Sequence, residues 1–162
     1  MKKLIAAAAL ALTLAAGAFA AGSVKSNDCT VGKYTSAFKV NGFSFNPVKG
    51  IDIEDKAAEP IKNGDVSYTK RIKTKGIDDY ISFKAKKGEK VSIVATSGSK
   101  DNARVAGVVN AKNKKIGTAD CPAWNMADPK FSSCSIEIPE DGEYKVKSTG
   151  DGGLYIFEIV VK

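Results

Sequence analysis

The chain contains no histidine. That removes the commonest general base at neutral pH, and with it any Ser-His-Asp or Cys-His nucleophile arrangement. Carboxylates that could pair for acid–base work occur at Asp52, Glu54, Asp55, Asp78 and Asp79. Charged strand faces and turns produce the same pattern, so no catalytic residue is assigned and the chain reads as a non-enzyme. Asp101-Asn102 and Asp151-Gly152 carry oxygen ligands, but without the spaced carboxylates of a calcium loop they read as turns. Neither a metal nor a cofactor is expected. Binding chemistry remains. An aromatic ring can lie against the C–H face of a sugar while polar groups bond its hydroxyls. Trp124 is the single tryptophan, and Asn125 follows it. Arg71 offers a planar fork suited to a carboxylate, and Lys70 precedes it. Arg104 opens a strand close to Asn102. These six residues (Trp124, Arg71, Arg104, Asn102, Lys70 and Asn125) are the ligand-binding candidates. Four of them have a structural alternative: a core plug for Trp124, a salt bridge for Arg104, plain scaffolding for the basic pair Lys70 and Arg71.

Three cysteines, Cys29, Cys121 and Cys134, form no C-x-x-C pair, so zinc and thioredoxin-like chemistry are poor fits. Cys121 and Cys134 flank an irregular segment holding Pro122, Trp124, Asn125, Asp128 and Pro129. A disulfide between them would close a loop of about a dozen residues and stabilise by roughly 3 kcal/mol in the loop-entropy model. It is expected on grounds of compartment, with Cys29 then free, partnered between chains, or the true mate of one of the other two. Lys2 and Lys3 precede an apolar stretch from Leu4 to about Ala16, and Ala18-Phe19-Ala20 follows, the pattern of a cleaved export signal over residues 1–20. Export to periplasm, cell surface or medium would let disulfides persist. No later apolar run is long enough for a transmembrane anchor. Removing Lys2 and Lys3 lowers the formal charge from +7 to +5. The lysines are dispersed, without the Arg-rich stripe of a nucleic-acid binder, so solubility or a weak attraction to acidic polysaccharide are the readings of that charge.

Residues 21–33 are polar and read as a loose leader, and 34–162 as a single domain. The elements that must position the candidates are strands. Phe38, Val40, Phe43 and Phe45 surround a turn at Asn41-Gly42, and Ile51 and Ile53 alternate with Asp52 and Glu54. Asp55 to Pro60 allows one helical turn at most. Val66, Tyr68 and Ile72 share a phase. Ile81, Phe83 and Ala85 share another, as do Val91, Ile93 and Ala95. Arg71 then faces outward, while Lys70 falls in the core phase and must snorkel, find a buried partner or sit beside a bulge. Ile136, Ile138, Tyr144 and Val146 continue the alternation. Leu154 to Val161 is apolar at nearly every position, the pattern of a central strand, with Tyr155, Phe157 and Ile159 expected at the core centre. About eight or nine short strands separated by Gly, Pro, Asn and Asp turns predict an all-β, two-sheet antiparallel β-sandwich, jelly-roll-like.

The run Ser67-Tyr-Thr-Lys-Arg-Ile-Lys73, then Tyr80-Ile-Ser-Phe83 and Val91-Ser-Ile-Val-Ala-Thr-Ser97, resembles the accessory β-sandwich found beside secreted bacterial pectate lyases and related polysaccharide-degrading enzymes. The likeness continues through Arg104, Asn113-Lys-Lys-Ile-Gly117 and Ile138-Pro-Glu-Asp-Gly-Glu-Tyr-Lys-Val146. It ends in Ser148-Thr-Gly-Asp-Gly-Gly-Leu-Tyr-Ile-Phe-Glu-Ile-Val160. It implies a sandwich and a carbohydrate-binding-like role, with acidic polysaccharide or an envelope glycan as partner. Members usually accompany a catalytic domain, which this chain is too short to hold, and the Cys121–Cys134 loop is an insertion on the pattern. A structural or protein-binding component of the envelope is the alternative. A second is an accessory subunit or inhibitor of an exported enzyme.

Overall fold

Residues 22–162 are described by the structure, a computed structural model; the expected export signal at 1–20 lies outside them. The strands are β1 (Gly22–Lys25), β2 (Gly32–Tyr34), β3 (Phe38–Val40), β4 (Phe43–Asn46), β5 (Ile51–Asp55), β6 (Ile61–Asn63), β7 (Val66–Tyr68) and β8 (Lys70–Thr74). They continue as β9 (Tyr80–Ala85), β10 (Lys90–Ser97), β11 (Arg104–Asn110), β12 (Lys115–Cys121), β13 (Ile136–Glu137), β14 (Gly142–Ser148) and β15 (Leu154–Val161). A first sheet runs β13-β10-β15-β8-β5-β2, with β1 also pairing β15, and a second runs β12-β11-β14-β9-β4-β3. β6 and β7 form a separate hairpin. Every paired neighbour is antiparallel. The fold is thus the two-sheet antiparallel sandwich that the alternation predicts. Among the described residues no helix is long and apolar enough to cross a membrane.

Period-two alternation builds the main core directly. Phe43 and Phe45, Ile81 and Phe83, and Tyr144 and Val146 enter from the second sheet; Ile51 and Ile53, Ile72, Val91 and Ile93 enter from the first. Each strand buries alternate side chains between the layers.

The structure departs from the sequence expectation in four places. The segment read as a loose leader is part of the sheet: Gly22 to Lys25 pairs with Val161 to Glu158, a 3-10 turn (Ser26–Asp28) follows, and β2 pairs with β5. Gly22 to Lys25 holds a single apolar residue, the fully buried Val24, too little signal to show as a strand, and the partner supplying the pairing lies at the other end of the sequence. Tyr68 and Ile72 do not share a core. Thr69 belongs to neither strand, and its N–H is taken by Asn27 Oδ1 at 2.9 Å. The phase breaks there: Tyr68 joins a second apolar cluster while Ile72 stays in the main core.

The third departure lies in β15. Its partners on β10 step from Val94↔Glu158 to Ala95↔Ile156, leaving Phe157 as the extra residue of a β-bulge. Leu154, Ile156, Ile159 and Val161 therefore face the main core, whereas Tyr155 and Phe157 face outward into the second cluster. Tyr155, Phe157 and Ile159 do not form one face.

The fourth concerns the cysteines. All three are free, so the expected Cys121–Cys134 disulfide is absent. Cys121 ends β12 on the second sheet, its thiol directed to Ala119 O, while the Cys134 thiol approaches Val91 O on the first. Burial pushes the Cys121 thiol up to about 11 and raises that of Cys134. Other bonds close the loop between them. Ser97 N–H donates to Pro122 O (2.8 Å), Trp124 N–H to Ser99 O (2.7 Å) and Ser132 N–H to Ala95 O (2.8 Å). Ser132 Oγ donates to Ile93 O and accepts from Ala95 N–H. The loop leaves the β10 edge at Pro122, crosses the outer face of the first sheet and returns at Ser132.

Candidate functional site

That loop and the β6–β7 hairpin cover the outer face of the first sheet. Trp124 lies 5.4 Å edge-on to Tyr155 and 6.2 Å from Phe157, with Phe131, Tyr68 and Ile61 completing the cluster. Only 6% of Trp124 is accessible, so its ring offers no open face to a sugar. Arg71 meets it as outward-facing residues of one surface should. Its guanidinium sits 3.8 Å from the Tyr155 ring centre and 5.1 Å from that of Trp124. Nε and NH2 both bond Glu54 Oε2, at 2.7 and 2.5 Å. With 9% of the residue accessible, this fork is already occupied by a carboxylate of its own chain. Burial opposes ionisation of Glu54. Arg71, Lys73 and Lys56 outweigh it and hold the carboxyl below its usual range.

The other candidates scatter. Lys70 resolves its odd phase by finding a partly buried partner: Nζ donates to Asn27 O at 3.0 Å and Cys29 O at 2.6 Å. Arg104 donates to Gly153 O and fills space that a side chain on Gly98 or Gly152 would occupy. Asn102 is exposed, its N–H donating to Ser99 Oγ, and the exposed Asn125 closes a turn by accepting from Ala127 N–H. Arg71 and Trp124 come together, but as packing.

The open chemistry lies on the outer face of the second sheet, which sequence reading did not single out. A groove of about 310 Å³ runs over β3, β4 and β9, lined by Lys39, Ser44, Asn46, Tyr80, Ser82 and Glu143 among others. Alternation places all of these outward, opposite Phe43, Phe45, Ile81 and Phe83. Asn46 Nδ2 donates to Ser44 O (2.8 Å) and Ser82 Oγ (3.5 Å). Lys145 on β14 stands 5.0 Å from the Tyr80 ring centre and donates to Asn113 Oδ1 at 3.3 Å. Pairing aligns Lys39, Ser44, Ser82, Lys145, Val109 and Lys115 as one row across six strands. Asn46, Tyr80, Lys147, Gly107 and Thr118 form the next row. Adjacent strands lie about 4.8 Å apart, so Lys39 and Lys145 present their charges roughly 14 Å from each other along the row.

The two faces differ in charge. On the first sheet Glu54 takes Arg71, Lys73 and Lys56, Asp52 takes Lys75 at 2.9 Å, and Glu158 takes Lys25. On the second, Lys39, Lys145 and Lys147 make no ion pair with the described residues. Only pairing between distant segments reveals this row, because Lys39 and Lys147 are far apart in sequence. The local signal was present as polar residues on the outward phase of β4, β9 and β14. No described group of His, Cys, Asp and Glu side chains could hold a metal ion.

No protein-family model and no curated protein matches the chain. Among solved structures, the chain is similar to the CBM22-1 xylan-binding domain of Xyn10C from Paenibacillus barcinonensis. The TM-score is 0.50 and the identity 12%, over 86% of this chain and 91% of that one. A CBM36 carbohydrate-binding module in complex with calcium and xylotriose gives 0.48 at 14% identity, covering 86% and 98%. The CBM36-1 domain of a multidomain xylanase from the hindgut metagenome of Trinervitermes trinervoides gives 0.46 at 11%, covering 86% and 94%. At 12% identity the likeness to the xylan-binding domain shows a shared β-sandwich fold, and the expected tie to pectate lyases in particular finds no support in it. The chain has the β-sandwich fold of carbohydrate-binding modules.

Proposed function

We propose that this is an exported, non-catalytic carbohydrate-binding domain that takes an acidic polysaccharide across the outer face of its second sheet. One observation carries the reading: Lys39 in the lining of a groove floored by Tyr80, Ser82, Ser44 and Asn46, and Lys145 and Lys147 on the neighbouring β14, make no ion pair with the described residues, while Arg71, Lys73 and Lys75 of the opposite face are paired. Hydroxyl and amide groups suit sugar hydroxyls, Tyr80 provides an apolar ring edge, and Lys39, Lys145 and Lys147 suit carboxylates. The wide spacing of the charges favours an extended polymer over a single sugar. Residues Trp124, Arg71, Arg104 and Lys70 then serve as scaffold.

The test is binding of the protein from Ala21 onward to a polysaccharide array that includes polygalacturonate, at low and physiological salt. Selective binding that survives physiological salt is expected. Lys145→Gln and Lys147→Gln should each weaken it roughly fivefold, the effect of losing about 1 kcal/mol of charge-assisted hydrogen bonding. Trp124→Ala should act through stability instead. Equal attachment to every polyanion, vanishing with salt, would leave net charge as the sole cause and sink the proposal.

A second reading rests on β12. Among the described residues its one ladder partner is β11, which leaves the Lys115–Cys121 edge available to a strand of another exported protein. Silence across the whole array would favour it.

A further inference from the structure

A second hollow of about 450 Å³ lies on the same sheet, where Ile77, Val109 and Thr149 meet Lys115, Lys147 and Asn113. Ile77 is 41% exposed, one of few large apolar side chains left open. Its position is held with unusual firmness. Asp79, fully buried, accepts N–H bonds from Lys75 (2.8 Å) and Gly76 (2.9 Å) within the Ile77 loop. The same carboxylate accepts three more from Val48, Lys49 and Gly50 at 2.7–3.1 Å. A loop free to move would turn an isoleucine towards shelter; this one is clamped with the side chain facing water. Gly107 has no side chain in the space where the Thr149 methyl lies, so Thr149 extends the apolar floor beside Val109. Cations stand on both sides, and Lys147 is shared with the row that crosses the groove through Tyr80.

We infer that this hollow receives an apolar acyl substituent, of O-acetyl size, on an acidic sugar of the polymer that the groove holds. Charge complementarity and position select the occupant. An uncharged aliphatic ligand would leave Lys115 and Lys147 unanswered, and a bare uronate would leave Ile77 and Val109 facing only hydroxyls. A carboxylate with an ester-linked methyl group beside it satisfies both. This inference rests on the proposed groove reading and adds a preference for substituted over unsubstituted polymer.

The experiment compares polygalacturonate with the same polymer chemically O-acetylated, so that the carboxylates stay constant, by titration calorimetry at physiological salt. The acetylated polymer should bind about fourfold more tightly, the effect of withdrawing one methyl group from water. Ile77→Asn and the milder Ile77→Thr should abolish the preference while leaving affinity for the unsubstituted polymer unchanged, with thermal melting confirming that both fold. Equal affinities in the parent protein, or a preference that persists in both variants, would overturn the inference and leave the groove reading intact. If neither polymer binds the parent protein, the groove reading falls and the inference falls with it.

Discussion

A single carboxylate joins the two loops at one end of the sandwich. Burial opposes ionisation of Asp79, and the N–H groups of Lys49, Val48, Lys75 and Gly50 overcome it, so its carboxyl titrates below the usual range. A depressed folded value stabilises the protein fully above the unfolded carboxylate range, near about 3.9, and the stabilisation is lost as pH falls through the folded value. Asp79→Asn should therefore cost about 3 kcal/mol or more near neutral pH, because the amide returns a donor where donors already converge. Urea melts at pH 7 and pH 3 should show the deficit shrinking at the lower pH. Trp124 gives a second residue-level expectation. Trp124→Ala opens a void against Tyr155 and Phe157 and should remove roughly 3–5 kcal/mol. The same measurement on Lys145→Gln should show a change within about 0.5 kcal/mol, as for a surface site. The cysteines give a third. Burial holds the Cys29 thiol as well as that of Cys121 near about 11. A thiol reagent at pH 8 should react slowly with the native protein and promptly with all three cysteines once denaturant is added.

At the scale of elements, the loop from Pro122 to Ser132 closes the β10 edge without a disulfide. Ser132 places both its N–H and its hydroxyl on β10. Ser132→Ala leaves Ala95 N–H without its partner and should cost about 1–3 kcal/mol. Hydrogen exchange should localise the opening to β10 near Ala95 and to the Trp124 loop. β15 explains why pattern reading succeeded only in part. Ile81-Phe83-Ala85 and Val91-Ile93 keep a strict alternation, so their buried faces were legible. The Phe157 bulge inserts one residue, and since every residue of β15 but Glu158 is apolar or aromatic, nothing local marks the slip. Thr69 hides the break between β7 and β8 for the same reason: its backbone partner is Asn27, remote in sequence.

For the whole molecule, the sandwich was readable because alternation and turns are local signals. The proposed site was not, because it is an alignment of strands. Lys39, Ser82, Lys145 and Lys115 become neighbours only through five ladder registers. Arg71 and Trp124 drew notice as rare, chemically able residues, and rarity does not distinguish a ligand contact from a second core. The separation of charge, paired on one face and unpaired on the other, predicts a measurable asymmetry. Raising salt should weaken polyanion binding, since exposed charges are screened over about 8 Å at physiological ionic strength. It should leave the thermal midpoint nearly unchanged, because the partly buried Arg71–Glu54 pair is screened much less. Parallel losses of binding and stability with salt would contradict that division.

The pairing of β1 with β15 also has a mechanical consequence. Gly22 lies opposite Val161, so the two strands begin and end side by side. A load pulling Gly22 away from Lys162 would act across this ladder and open its hydrogen bonds one pair at a time, as a zipper parts, instead of sliding them together in shear. Such traction should peel β1 away at low force, drawing Val24 out of the main core, while the second cluster stays closed and the outer face of the second sheet keeps its shape.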